Sequence, residues 1–281
     1  MDAPPGREDC RQFVKVAGLL RNAGVNVPAV LAQDVDHGFL LLSDLGNVTY
    51  LDALDTENAD HLFRDAVDAL LKIQLSSRPE VLPPYDTTLL QREIGLFPEW
   101  YVQRHLGTAL TAAESHMFRE VGNRVLASNL SQPQVFVHRD YMPRNLMVAE
   151  PNPGILDFQD AVFGPITYDV ASLFRDAFVS WDEERVLDWT ARYWERARRA
   201  GLPVAADFSA FYREFEWMGL QRHLKVLGIF ARLRHRDGKA GYVEDTPRFV
   251  AYVRAVCRRY RELAPLLALF DRLEDCRPVV S

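Results

Sequence analysis

Apolar residues recur every three or four positions along most of this chain, which is the periodicity of amphipathic helices. The clearest case is 59–75, whose apolar side chains share one face. Further helices are predicted at 9–24, 88–106, 111–128, 168–179, 182–200, 207–236, 246–260 and 262–274. Pro98 predicts a kink or boundary within 88–106. Thr111 and Glu114 predict a capping box at the start of 111–128.

Shorter runs of β-branched, aromatic and aliphatic residues predict strands between these helices. Residues 25–32 have an extended pattern, and 38–42 predicts a buried strand that ends in the turn at 43–46. In the middle of the chain, 135–137 runs into a polar loop. The apolar runs that follow the loop are separated by a turn rich in proline and asparagine at 150–154, which predicts an antiparallel hairpin.

Composition and charge narrow the class of protein. The 281 residues are 48% hydrophobic, enough for the core of one large domain or two lobes. A net charge of −6 and a pI of about 5.7 argue against a general nucleic-acid partner. Cys10, Cys257 and Cys276 are too scattered for a zinc site or a disulfide framework, which fits a reducing cytoplasm. No apolar run approaches membrane-spanning length, so no membrane partner is expected.

The polar loop and the hairpin carry the candidate chemistry. Asn145 stands at the entry of one predicted strand and Asp157 at the exit of the other, so pairing of the strands would place them side by side. An amide oxygen and a carboxylate are hard ligands, suited to a magnesium ion that also holds phosphates. Asp140 adds a separate carboxylate that can accept a proton from an attacking hydroxyl.

The spacing of these residues matches the catalytic loop and metal-binding aspartate of protein kinases. His-Arg-Asp at 138–140 is followed by four residues and an asparagine, and Asp-Phe at 157–158 ends the next strand. Gln159 stands where protein kinases have glycine. The alternative is a surface hairpin that carries polar residues by chance, but the strand context favours a catalytic loop. Walker-type and dinucleotide-type glycine loops are absent from the sequence.

The catalytic segment and the helix-rich remainder resemble the aminoglycoside phosphotransferase and choline kinase group, which shares the protein-kinase-like fold. Longer stretches are similar to the bacterial anomeric kinases of N-acetylmuramate and N-acetylglucosamine, which act in peptidoglycan recycling. These stretches are 1–5, 97–101, 138–147, 156–161 and 221–226. The resemblance implies an α+β, two-lobed fold with a truncated small lobe at 1–46 and a mostly helical large lobe at 47–281. It also implies transfer of the γ-phosphate of ATP to the C1 hydroxyl of the amino sugar.

The resemblance also implies a role for individual residues. Asp140 would be the catalytic base, and Asn145 and Asp157 would hold Mg²⁺ on the phosphates of ATP. Arg144 would offset phosphate charge, with a plain surface arginine as the alternative. Asp44 lies at the predicted hinge, where backbone groups would meet the adenine ring, with an ordinary core strand and turn as the alternative.

Three more residues around the loop are assigned structural roles. His138 would brace the catalytic loop rather than react. Asp160 and Asp169 would act through hydrogen bonds to loop amides or as a helix cap.

Candidate contacts to the acceptor are Gln159, Arg222 and Lys225. Arg222 and Lys225 belong to a cationic ridge on the predicted helix 207–236, for which a solvated helix face is the alternative. Gly228 and His223 on the same helix favour a functional role. A polycationic aminoglycoside would require an acidic cleft, so the ridge speaks against that acceptor. Another kinase of the same fold, acting on an aminoglycoside or a choline-like alcohol, is the alternative enzyme.

The start of the chain departs from the family pattern. Family members place a hairpin with a phosphate-covering loop ahead of the strand in which Met1 falls, and Lys15 lies within the first predicted helix. We therefore expect a fragment or a mis-assigned start, poorly soluble and nearly inactive with ATP when expressed alone. The non-enzymatic alternative is a large-lobe fragment that only binds. The enzyme itself is expected to be monomeric and cytoplasmic.

Overall fold

The computed structural model describes residues 1–3 and 9–274, so part of the motif at 1–5 and Cys276 lie outside the described residues. The chain forms two compact units. The first unit comprises Met1–Pro84 and Pro133–Phe211, and the second comprises Tyr85–Gln132 and Tyr212–Ser281. The division into lobes at residue 46 stays a prediction. Within the described residues, no helix combines the length and the apolar character needed to cross a membrane.

The predicted helices are present, but 88–106 is divided into an α-helix and a π-helical segment, 168–179 ends at Phe174, and a short helix at 50–53 was not predicted. The α-helices are α1 Cys10–Asn22, α2 Tyr50–Ala53, α3 Ala59–Leu75, α4 Thr87–Ile94, α5 Ala112–Leu130, α6 Tyr168–Phe174, α7 Glu183–Arg199, α8 Phe208–His235, α9 Thr246–Arg259 and α10 Ala264–Glu274. A π-helical segment, Phe97–His105, follows α4, and 3₁₀ turns occupy Pro143–Asn145, Ala240–Asp245 and Arg261–Leu263. The strands are β1 Val30–Asp34, β2 Phe39–Leu42, β3 Gln134–Val137, β4 Leu146–Met147, β5 Gly154–Ile155 and β6 Val162–Pro165.

Local capping chemistry accounts for several helix ends. The Asp9 carboxylate accepts a hydrogen bond from the backbone amide of Arg11 and begins α1. Gly24, with φ of 77°, follows the end of that helix in a left-handed conformation that favours glycine. Thr111 and Glu114 form the predicted capping box of α5. The predicted capping box of α5 is therefore confirmed.

The strand predictions need two corrections. The pattern at 38–42 predicted a fully buried strand, but Phe39 is 52% and Leu41 61% exposed, while Leu40 is buried. Successive residues of a strand point to opposite faces, so in β2 only the face of Leu40 is covered, and four of the five residues of β1 are exposed. The sequence also failed to predict β6, which pairs antiparallel with β3. Gly164 and Pro165 weaken the strand pattern of this segment, because glycine and proline are both depleted in strands.

The core of the second unit explains one residue that had suggested function. Phe97 stacks with Tyr101, Phe118 and Phe270 at centroid distances of 5.3–5.5 Å. Nearby, α8 approaches the segment after α4 so closely that a Cβ built on Gly228 would lie 2.5 Å from Leu96. Gly228 is therefore required by packing, so its presence on α8 does not by itself indicate a functional role.

We predict that Gly228→Ala destabilises the second unit, because its methyl group has no space beside Leu96 and the backbone must shift. Overpacking of this kind costs about 1–3 kcal/mol. Gly122→Ala on α5 is the matched control, since its methyl group would meet only the Ile94 side chain at 3.7 Å. That variant should be neutral or slightly more stable through higher helix propensity. Urea denaturation followed by circular dichroism measures both, and equal midpoints for the two variants would contradict the packing argument.

Candidate active site

The loop after β3 is held by one buried carboxylate. Asp169 is 1% exposed and accepts hydrogen bonds from the backbone amides of His138 at 2.7 Å and Arg139 at 3.0 Å. Arg139 has φ of 76°, a left-handed conformation that is costly for a residue with a side chain. Asp169 lies in the first turn of α6, where Thr167 is the cap residue. The helix-cap alternative is therefore wrong for Asp169, and the alternative of hydrogen bonds to loop amides is confirmed.

His138 connects this loop to the hairpin. Its Nδ1 accepts the backbone amide of Asp140 at 3.3 Å, so its Nε2 carries the proton and donates to the carbonyl of Leu156 at 3.0 Å. The ring is buried and lies edge-on to Tyr141. Burial lowers the pKa of His138, and this outweighs the carboxylates of Asp140 and Asp157, which raise it. A neutral histidine with both ring nitrogens bonded matches the bracing role.

The predicted hairpin is present and brings two of the candidate residues together. β4 and β5 pair antiparallel, with Leu146 opposite Ile155. Asn145 precedes β4, and its Nδ2 donates to the Oδ2 of Asp157 at 3.3 Å. The same Nδ2 donates to the backbone carbonyl of Asp140 at 2.9 Å. One amide therefore contacts both the hairpin aspartate and the loop that carries Asp140.

The surroundings of Asp157 fit a magnesium ligand. Asp157 is exposed, has φ of 61°, and accepts a hydrogen bond from Gln159 Nε2 on its Oδ1 at 2.8 Å. Its carboxylate thus meets two side-chain amides, those of Asn145 and Gln159, and rotation of these amides can exchange them for a cation. The described residues form no cluster of three or more His, Cys, Asp or Glu that would hold a metal unaided. A carboxylate and an amide oxygen suit an ion whose remaining ligands are phosphate oxygens and water.

The candidate nucleotide contacts sit at the surface of the first unit. Asp44 is exposed, and its Oδ1 accepts the backbone amide of Gly46 at 2.9 Å, which shapes the turn after β2. Arg144 is exposed, and its guanidinium lies 4.8 Å from the ring centroid of Phe178. The roles of Asp44 and Arg144 toward ATP stay predictions. The role of Gln159 toward the acceptor also stays a prediction.

Arg222 and Lys225 belong to the second unit, and both are buried. Lys225 Nζ lies 2.9 Å from Glu93 Oε1. Arg222 is 2% exposed, and its Nη1 has no hydrogen-bond partner within the part of the chain that the structure describes. The solvated-face alternative is therefore wrong for these two residues. Sequence reasoning missed Glu93, although a carboxylate within an apolar helical pattern signals a buried partner. The His223 ring packs against Tyr252, with centroids 4.9 Å apart.

A carboxylate on a kinase-type loop beside an Asn–Asp pair defines a phosphotransferase site. Comparison with known sequences agrees, because the profile of the phosphotransferase enzyme family matches residues 1–208. The chain belongs to this family.

Three curated relatives share the name N-acetylmuramate/N-acetylglucosamine kinase. The protein from Pseudomonas putida is 56% identical over 98% of this chain and 81% of its own length. The protein from Pseudomonas aeruginosa is 57% identical over 97% of this chain and 81% of its own length. The protein from Neisseria meningitidis is 52% identical over 97% of this chain and 82% of its own length.

Solved structures of the same fold are more distant in sequence. A choline/ethanolamine kinase family protein from Mesorhizobium loti has a TM-score of 0.62 and 17% identity, over 93% of this chain and 83% of that one. An ADP-bound aminoglycoside phosphotransferase has a TM-score of 0.56 and 14% identity, over 87% of this chain and 81% of that one. These likenesses confirm the predicted α+β, protein-kinase-like fold.

We predict that His138 makes stability depend on pH. Its pKa lies below the ordinary value of 6.5 in the folded protein. The unfolded state therefore binds an extra proton below that pH, and the free energy of unfolding falls as the pH falls, by up to about 1.4 kcal/mol per pH unit. His138→Gln should flatten this slope in denaturation series. His116→Gln, at an exposed position, is the control and should keep the wild-type slope. An unchanged slope in His138→Gln would contradict the assignment.

We also predict that Asp157→Ala raises the magnesium requirement for turnover of ATP and lowers the maximal rate. Its carboxylate is the charged member of the pair with Asn145, whereas Asp160 is exposed three residues further on. Asp160→Ala is the matched control and should leave the magnesium dependence close to that of the wild type. Titration with Mn²⁺ in the presence of ATP, followed by electron paramagnetic resonance, gives a readout independent of rate. Equal effects from the two variants would contradict the assignment of Asp157.

Proposed function

We propose that this chain phosphorylates the anomeric C1 hydroxyl of N-acetylmuramate and N-acetylglucosamine with ATP as the donor. The observation that carries the reaction class is the contact between Asn145 and Asp157 beside the loop of Asp140. The acceptor rests on the relatives, which are kinases of these two sugars by name and are 52–57% identical over most of the chain.

Asp140 accepts the proton of the C1 hydroxyl as that oxygen attacks the γ-phosphorus. The new bond joins the sugar oxygen to phosphorus, the bond to the β-phosphate oxygen breaks, and ADP leaves with that electron pair. Asp140 is half-buried, and its backbone is held by His138 Nδ1 and by Asn145. This restraint fixes the carboxylate, which matters because phosphoryl transfer relies on positioning.

Asn145 and Asp157 would hold Mg²⁺, which would supply charge neutralisation on the phosphates. The residues that would hold it are fixed by pairing of β4 with β5, so the protein positions them before the ligand binds.

We also propose that the enzyme is cytoplasmic. Cys10 and Cys257 are free thiols, which agrees with a reducing compartment.

The test is an acceptor comparison with the 281-residue chain and with a form that also carries the in-frame residues upstream of Met1, because the sequence predicts that the 281 residues alone are nearly inactive. ATP, Mg²⁺ and one acceptor at a time are incubated, and formation of ADP is measured with N-acetylmuramate, N-acetylglucosamine, an aminoglycoside and choline. Phosphorus NMR of the product should show a phosphate coupled to the anomeric proton for the two amino sugars. Turnover of the aminoglycoside or of choline in preference to both sugars would overturn the proposed acceptor. A phosphate on another hydroxyl would overturn the C1 assignment.

We predict that Asp140→Asn lowers turnover by roughly 10²–10⁴-fold, because a neutral amide cannot take the hydroxyl proton. Binding of ATP should change little, since the variant keeps the size of the side chain. Asp160→Asn makes the same chemical change at an exposed position and is the control. Steady-state rates with N-acetylmuramate measure both variants. A rate within a few fold of the wild type in Asp140→Asn would contradict the role of the base.

A further inference from the structure

A cavity of about 480 Å³ lies beside α3 and α7 in the first unit, and no step of the proposed reaction uses its lining. Its floor consists of four buried aromatic residues, Phe63, Phe174, Trp189 and Tyr193, of which Trp189 is the most exposed at 4%. Phe63 and Trp189 are packed with centroids 4.6 Å apart, nearly edge to face. A volume of this size is typical of sites for small organic ligands.

The two helices run side by side along this cavity. Trp189 Nε1 on α7 donates to Asp60 Oδ1 on α3 at 2.7 Å. Further along both helices, Arg196 Nη1 on α7 donates to the carbonyl of Arg64 on α3 at 3.5 Å. Both contacts advance in the same direction along the sequence. The acidic residue Glu57 therefore lines the end of the cavity at the start of α3, and Arg199 lines the end where α7 finishes.

The cavity lining contains four arginines and three carboxylates, and the end near Arg199 combines Arg64, Arg196 and Arg199 with one lining carboxylate, Glu195. Arg196 forms an ion pair with Asp68, and Arg64 reaches Asp65 only at 3.9 Å, the outer limit of an ion pair. Arg199 is exposed and has no ion pair within the described part of the chain. Burial lowers the pKa of Arg196, and the charges of Arg199 and Arg64 lower it further, so these three guanidinium groups repel one another.

The dipole of α7 does not explain this arrangement by itself. Basic residues in the last turn of a helix are favoured by the dipole whatever direction their side chains take. Arg198 illustrates this, because it is in the same turn but lies over the Trp194 ring at 4.9 Å and does not line the cavity. Arg64, in contrast, comes from α3 and adds a cation that the α7 dipole does not favour. A second cavity of about 260 Å³ shares Arg196 and Arg199, so both face open space on two sides.

We propose that this cavity, the α3–α7 cavity, is a second binding site that takes a small organic phosphate. The phosphate lies on the guanidinium groups of Arg64, Arg196 and Arg199, and the apolar or aromatic body of the ligand lies on the floor at Trp189. Guanidinium groups match phosphate through paired, charge-assisted hydrogen bonds. A dianion relieves the repulsion among three cations better than a single carboxylate does. The site is independent of the proposed kinase reaction.

The test uses phenyl phosphate and inorganic phosphate as probes on the full chain. Binding is followed by calorimetry and by the fluorescence of tryptophan, since Trp189 lines the cavity. Phenyl phosphate should bind saturably and more tightly than inorganic phosphate, because only the former covers the aromatic floor. Arg199→Ala should weaken phenyl phosphate by roughly 10- to 100-fold, the loss expected for one charge-assisted hydrogen bond.

Arg198→Ala is the matched control, since it removes the same charge from the adjacent position and leaves the cavity lining intact. It should bind phenyl phosphate like the wild type, and urea denaturation should show both variants folded. Absence of saturable binding in the wild type overturns the proposal. Equal losses in the two variants overturn it as well, as does equal affinity for the two probes. ATP with Mg²⁺ could also displace phenyl phosphate. If it does so equally well in the wild type and in Arg199→Ala, the phosphate binds in the catalytic site instead, and the proposal is overturned.

Discussion

The active site of this protein depends on the hydrogen bonds that the Asp169 carboxylate accepts from the amides of His138 and Arg139. Each hydrogen bond to a charged group is worth about 1.5–3 kcal/mol. The left-handed backbone of Arg139 costs of order 1–3 kcal/mol, so the two bonds are sufficient to offset it. The resulting sharp turn at Arg139 directs the chain so that Asp140 is only half-buried, two residues after the buried His138.

The same loop is joined to the hairpin through neutral groups. His138 bridges the amide of Asp140 and the carbonyl of Leu156, and Asn145 bridges the carbonyl of Asp140 and the carboxylate of Asp157. The proposed proton acceptor, Asp140, and the proposed metal ligand, Asp157, are therefore held by residues that carry no charge of their own. This leaves the negative charges of the two aspartates available for a hydroxyl proton and a cation. Such a division of roles is what positioning-dominated phosphoryl transfer requires.

Charged residues away from the loop fall into two groups, which differ in whether the protein itself supplies their ionic partners. Lys225 and Glu93 form a buried pair in the second unit, which satisfies both charges inside the protein. Arg64 and Arg199 line the α3–α7 cavity in the first unit, whose lining contains four arginines and three carboxylates. The first arrangement is complete without a ligand. The second is the kind of surface on which an anion lowers the free energy of the folded protein.

The sequence by itself determined most of the helices, the catalytic motif and the hairpin, because these depend on local periodicity, capping and turn chemistry. The spacing of Asn145 and Asp157 around a turn was enough to predict that they meet. Tertiary structure alone decided the partner of Asp169, the presence of β6 and the packing role of Gly228, because each depends on a contact between segments far apart in the chain. The burial of Arg222 and Lys225 was also decided there. A run of basic residues gives the same sequence pattern whether its side chains face water or a buried carboxylate. Only the packing of the neighbouring helices decides between these two environments.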